Sequence, residues 1–182
     1  MLTNNLRSAI TLSMPLPDPQ IRIMTAEDIP LLSEFARGHV NEPDYFQTSF
    51  DEQRDGKRAV FMAFVDGVLA GYVHYNRHPK YQPFRSLNIP EIQDLYVASV
   101  FRRQGIGEAL VRACEAQAQR ETCSDIGIGV GVGSEFGAAQ RLYMRLGYLP
   151  DGAGVVFDRD PVSVGEVRPV DDRLCLMVVK SL

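Results

Sequence analysis

The run from Glu91 to Val132 constrains the fold of this chain more than any other. It begins as a short strand at 91–97 and passes through a basic, glycine-containing turn, Arg102-Arg103-Gln104-Gly105-Ile106-Gly107. An amphipathic helix follows, in which Ile106, Ala109, Leu110, Ala113 and Cys114 fall at i, i+3, i+4, i+7 and i+8, one continuous apolar stripe. A second strand then alternates Ile126, Ile128, Val130 and Val132 with glycines. Strand, helix, strand is a crossover, so the two strands lie parallel in one sheet. Glycine weakens a strand, and a strand bare on one face predicts close approach by another backbone or a ligand.

The flanking segments supply antiparallel neighbours. Gln20 to Met24 alternates as a first strand, and Thr25-Ala26-Glu27-Asp28 reads as a helix N-cap leading into Ile29, Leu31, Leu32 and Phe35. Residues 39–57 are polar with interspersed aromatics and fit a second short helix. Ala59 to Val65 meets Val68 to Tyr75 across Asp66-Gly67, a pair that takes φ > 0 at both turn positions and so matches strand twist. Residues 76–90, with three prolines, read as a loop. A second helix carries Ala139, Leu142, Tyr143 and Leu146 on one face and stops at Gly147, and strands at about 153–158 and 173–180 close the chain. The expectation is an α/β (α+β) domain over 20–182. Its single mixed, mostly antiparallel sheet has about seven strands and helices on both faces, after an N-terminal extension at 1–19.

Composition removes several function classes. At 182 residues and 45% hydrophobic content the chain can bury a sizeable core and is not intrinsically disordered. A formal net charge of −4, with no basic stripe, disfavours nucleic acid as a partner. No apolar run approaches the ~20 residues of a membrane-spanning helix. Cys114, Cys123 and Cys175 show no CxxC spacing, and the three histidines form no metal-ligand pattern, so reduced thiols, a cytoplasmic location and no metal are expected.

The chemistry concentrates in the glycine turn. The first N–H groups of a helix lack internal partners and sit at the positive end of its dipole, glycine lets a phosphate approach them, and Arg102 and Arg103 add formal charge. The segment is built like an anion-binding turn. It is not a Walker loop, since no Gly-Lys-Ser/Thr follows, nor a Rossmann fingerprint, since the third glycine is missing.

Arg102-Arg103-Gln104-Gly105-Ile106-Gly107 resembles the Arg/Gln-x-x-Gly-x-Gly/Ala signature of the GCN5-related N-acetyltransferases (GNAT). Ala139-Gln140-Arg141-Leu142-Tyr143-Met144-Arg145-Leu146-Gly147-Tyr148 is similar to a second block of that family, in the expected order. The run Tyr148 to Val156, with Asp171, Asp172 and Leu174, looks like a bacterial subgroup whose acceptor is unassigned.

The resemblance implies acetyl-coenzyme A as acetyl donor, a splayed parallel pair of strands, and direct attack by a primary amine of a small molecule or peptide in a ternary complex. It implies that Leu95, Tyr96 and Val97 lend main-chain groups to the pantetheine arm. Arg102, Arg103, Gln104, Gly105, Ile106 and Gly107 then hold the pyrophosphate, and Ala139 and Tyr143 face the cofactor from their helix. Tyr143 corresponds to the tyrosine that protonates the leaving thiolate, and its other reading is a core aromatic. Glu91, Asp94 or water alone serves as base, with the two carboxylates on opposite faces unless a bulge intervenes. Many members carry asparagine seven residues before that tyrosine, where this chain has Phe136. His39, Tyr72, His74 and His78 are acceptor-pocket candidates. A non-catalytic acyl-coenzyme A binding domain is the alternative, and monomer and homodimer both stay open.

Overall fold

The computed structural model describes residues 18–182, so most of the expected N-terminal extension lies outside the described residues. The strands are β1 (Gln20–Ile23), β2 (Arg58–Val65), β3 (Val68–Asn76), β4 (Glu91–Val97), β5 (Asp125–Gly131), β6 (Leu149–Phe157), β7 (Asp160–Pro161) and β8 (Leu174–Ser181). They form one sheet in the order β1-β2-β3-β4-β5-β8-β6-β7. The count is eight rather than about seven, because β7 is a two-residue strand too short to show a period. The helices are α1 (Ile29–Phe35), α2 (Tyr45–Arg54), α3 (Gln82–Ser86), α4 (Ile106–Arg120) and α5 (Gly137–Arg145).

Local chemistry explains most elements. Asp66 (φ 49°) and Gly67 (φ 78°) make the expected hairpin turn, with Val65 opposite Val68. Thr25 and Asp28 close a reciprocal capping box, and Arg22 holds the Asp28 carboxylate at 2.6 Å. That ion-paired hydrogen bond pulls the Asp28 carboxyl down to about 2. The segment expected as a loop contains α3, whose Pro83 sits in the first turn and whose Phe84 is buried.

Two apolar layers sandwich the sheet. Ile106, Leu110, Val111, Cys114 and Ala118 of α4 pack with Phe61, Val73, Tyr75, Ile126 and Ile128 on one face. Leu32, Phe46, Val60, Met62 and Tyr72 fill the other, under α1 and α2. Burying a side chain of this size contributes roughly 1.5–3 kcal/mol, so these layers supply most of the driving force.

Three irregularities position the site. β4 and β5 pair in parallel through only Glu91–Gly127 and Ile92–Ile128, then diverge. β4 also bulges: Tyr72 pairs with Tyr96 and His74 with Gln93, so Val73 alone faces both Asp94 and Leu95, with Asp94 at φ 51°. The bare face of β5, finally, is filled from within the protein. A Cβ at Gly127 would lie 2.0 Å from the Phe84 ring and one at Gly131 2.4 Å from Phe136, while Gly129 lies under the Arg159 guanidinium. The expected close approach is therefore made by this chain's own side chains.

Candidate functional site

The site forms where β4 leaves β5 and turns into α4. Ala98 N–H bonds Ala70 O on β3, so alternation turns the Val97 N–H and carbonyl toward the diverging β5 side. The Val97 carbonyl accepts from Arg102 Nε at 2.9 Å. At the end of the turn Gly105 caps α4 with φ 82°, a conformation that favours glycine, and the space its Cβ would take is open for 4 Å. The first helical bond from this turn is Ala109 N–H to Gly105 O. The N–H groups of Gln104 to Glu108 donate to nothing among the described residues. Arg102, Arg103 and Gln104 are exposed beside them. Open amides, a left-handed glycine and two exposed arginines fit a pyrophosphate, and the separated strand edges fit an extended amide-bearing arm.

α5 lays its apolar face on β5, with Ala139 and Leu142 half-buried and Tyr143 5% exposed. The Tyr143 ring meets Tyr148 edge-on at 6.1 Å. Its hydroxyl has no hydrogen-bond partner among the described residues, and burial, aided by Cys114, pushes its pKa up. It is a phenol able to donate a proton. Phe136, at the position where many relatives have asparagine, lays its ring on Gly131, and Ser134 is exposed. Gln140, which sequence reasoning passed over, bonds the Gly131 carbonyl at 2.8 Å.

The bulge brings Glu91 and Asp94 to one face, in contrasting surroundings. Glu91 is fully buried and accepts from Arg159 Nη2 at 2.7 Å; burial pushes its carboxyl up, against the pull of Arg159. Asp94 is half-exposed, accepts a short hydrogen bond from the Tyr45 hydroxyl, and lies 4.0 Å from His74 Nδ1. His74 is enclosed; burial, aided by Arg58 and opposed by Asp94, pushes it down to about 4, so it is neutral at pH 7. Its Nδ1 is 2.7 Å from Arg58 Nη1 and therefore accepts. Tyr72 is buried against Phe46, its hydroxyl without a partner among the described residues, and His39 stacks on Tyr96 at 4.3 Å. His78 is exposed in the loop before α3. Tyr45 and Arg159 were not singled out from sequence. Each acts through a tertiary contact 49 or 68 residues away, for which periodicity carries no signal.

Comparison with known proteins gives a consistent result. The sequence profile described as "Acetyltransferase (GNAT) family" matches residues 26–148. A ribosomal-protein-alanine N-acetyltransferase from Brucella melitensis superposes with a TM-score of 0.67 at 22% identity, over 90% of this chain and 99% of that one. A GNAT acetyltransferase from Elizabethkingia anophelis, solved with acetyl-CoA bound, gives 0.56 at 18%, over 91% and 99%. The ribosomal-protein-S18-alanine N-acetyltransferase of Escherichia coli gives 0.64 at 15%, over 90% and 93%. No curated protein matches at the level of sequence.

Proposed function

Because the chain belongs to the acetyltransferase (GNAT) family, we propose that it transfers the acetyl group of acetyl-coenzyme A to a primary amine by direct attack in a ternary complex. The observation that carries this reading is the pairing of open α4 N-terminal amides with the diverging β4 and β5 edges. One feature takes a pyrophosphate and the other takes the amide-bearing arm that follows it in the same ligand.

The thioester supplies the electrophilic carbonyl carbon. The acceptor nitrogen, neutral once the ammonium has lost one proton, forms the C–N bond as the C–S bond breaks and gives up a second proton to water, leaving the amide. The Val97 N–H, turned into the gap, donates to the carbonyl oxygen as charge develops there. Tyr143 gives its proton to the departing thiolate, and water returns one. An ammonium near pKa 10 must first be deprotonated. Asp94 suits that task better than Glu91, because it is accessible from solvent and has no Lys or Arg partner among the described residues, whereas Glu91 is committed to Arg159. A proton leaving the amine passes to Asp94 directly or through one water.

The test is an amine screen that follows coenzyme A thiol release, alongside calorimetry of coenzyme A binding. Binding together with turnover of at least one primary amine supports the reading. Binding without turnover of any amine favours a non-catalytic acyl-coenzyme A sensor, and no binding refutes the cofactor site.

A further inference from the structure

The surroundings of Asp94 single out Tyr45. Asp94 sits in the β4 bulge with a left-handed backbone (φ 51°) and 49% of its side chain in water, so packing does not fix its carboxylate. The titratable and charged side chains facing it are Tyr45 from α2, Tyr72 and His74 from β3, Glu91 from β4 and Arg159 from the hairpin at Asp158-Arg159. Glu91 and Arg159 pair with each other. His74 Nδ1 accepts from Arg58, so the neutral imidazole carries its proton on Nε2 and has none to offer Asp94 at 4.0 Å. The Tyr72 hydroxyl is buried and bonds nothing among the described residues. Among those residues Tyr45 is therefore the one hydrogen-bond donor to Asp94; its hydroxyl engages Oδ2 and leaves Oδ1 free. Tyr45 is itself held firmly. Its ring stacks on His74 at 5.4 Å and meets Phe46 edge-on at 5.0 Å, and on the same face of α2 Glu52 ion-pairs with Arg58. The helix is thus anchored to β2 and β3 at two points, and the phenol moves little.

We propose that Tyr45 is a positioning residue for acetyl transfer: its hydroxyl pins Asp94 through Oδ2, so that Oδ1 meets the acceptor nitrogen. This rests on the acetyl-transfer reading above, with Asp94 as its base. One N–H bond of the arriving ammonium breaks. Its proton passes to Asp94 Oδ1, directly or through one water, and the electron pair stays on nitrogen to attack the thioester carbon. Asp94, half open to solvent, then returns that proton to water. Without the hydroxyl the carboxylate keeps its charge but spreads over several rotamers, and only a fraction of them places Oδ1 against the nitrogen. The loss falls on proton removal alone. It does not reach the cofactor turn, and an amine that arrives already neutral does not feel it.

The test uses the full chain, acetyl-coenzyme A and two amines of like size, ethylamine and trifluoroethylamine. Ethylamine is an ammonium at neutral pH, with a pKa of about 10. The fluorines lower the basicity of the other so far that it is neutral there. Tyr45→Phe keeps the ring and its stacking on His74, so the domain stays folded. Asn suits the left-handed backbone at position 94, so Asp94→Asn keeps the bulge. With ethylamine at neutral pH, Tyr45→Phe lowers kcat/KM about tenfold, part of the roughly 10²–10⁴-fold that Asp94→Asn costs. KM for acetyl-coenzyme A stays within about twofold of the parent. With trifluoroethylamine both variants stay within about threefold of the parent. The ethylamine penalty of Tyr45→Phe closes as pH rises toward the pKa of the ammonium. In the Asp94→Asn background Tyr45→Phe adds nothing further, since the two side chains act as a unit. Partial unfolding of a variant lowers turnover of both amines alike, so the contrast between them separates positioning from stability. Tyr45→Phe turnover of ethylamine within about threefold of the parent overturns the proposal. Equal losses on the two amines, or additive effects of the two substitutions, also overturn it. So does a parent protein that binds coenzyme A yet acetylates neither amine. Failure of the parent protein to bind coenzyme A instead refutes the underlying acetyl-transfer reading.

Discussion

Replacing Arg159 with methionine removes the only cation paired with Glu91 among the described residues, and the response reports what that carboxylate does. Glu91 has no exposed side-chain surface, while Arg159 leaves 20% of its own in water. Breaking such a pair from one side costs about 3–5 kcal/mol, and the partial exposure places this one near the lower end. In a chain of 182 residues a loss of about 3 kcal/mol lowers Tm by about 6–12 °C. The loss also has a pH signature. Burial raises the Glu91 carboxyl and Arg159 opposes it, so without Arg159 the native state binds a proton that the unfolded chain, at about 4.3, releases. A group raised in the native state favours folding where it is protonated, so the penalty of Arg159→Met shrinks as pH falls from neutral toward that unfolded value. Glu91→Gln keeps an acceptor for Nη2 and costs less, and the double variant recovers part of the sum as a coupling between contacting residues. Urea melts of all four proteins at neutral and mildly acidic pH measure this. A penalty below about 1 kcal/mol, or one that does not vary with pH, refutes the pairing as a structural element. Loss of turnover in Glu91→Gln at unchanged stability would instead return Glu91 to the role of base.

Three further outcomes are expected. Gly105→Asp abolishes coenzyme A binding by calorimetry while the domain stays folded, because its Cβ meets open space but its charge enters the anion turn. Tyr143→Phe keeps the ring packing and lowers kcat by roughly 10²–10⁴-fold with little change in KM for acetyl-coenzyme A; turnover within about threefold of the parent removes the phenol from the mechanism. Gly127→Ala drives a methyl into the Phe84 ring and destabilises the fold by several kcal/mol, on the order of 3. A second change, Phe84→Leu, restores part of that loss in thermal melts, and no restoration means that the ring is not the obstacle.

The parts legible in the sequence were those set by local rules. The Asp66-Gly67 turn, the α4 stripe beginning at Ile106, and the stop at Gly147 follow from dihedral preference and periodicity, which act over a few residues. The bulge at Asp94 was foreseen only as an open alternative. It exists because Val73 faces two β4 residues, and nothing in Gln93-Asp94-Leu95 itself marks that register. The glycines of β5 point to close approach by another backbone or a ligand, whereas side chains of this chain fill the space. That those side chains are Phe84, Arg159 and Phe136 depended on α3 hidden among prolines and on a hairpin at Asp158-Arg159 whose two left-handed residues are not glycine. Tyr45 looked like one aromatic among several, and only the fold brings its hydroxyl to Asp94.

The two residue pairs that join β4 to β5 have a mechanical consequence. Strands β1–β4 and β5–β8 are in effect two four-stranded halves sharing a short stitched seam. The helix α4 and its buried stripe span that seam from one side, leaving the other end free to breathe. Opening there breaks few backbone bonds, so the amides nearest the fork exchange with solvent ahead of those in the β2–β3 ladder. A ligand lying in the fork supplies the missing rungs. At a concentration a hundred times its dissociation constant it adds about 2.7 kcal/mol to the whole. Under the acetyl-transfer reading proposed above, the donor would then be a transient strand, and each turnover would unlace and relace the sheet.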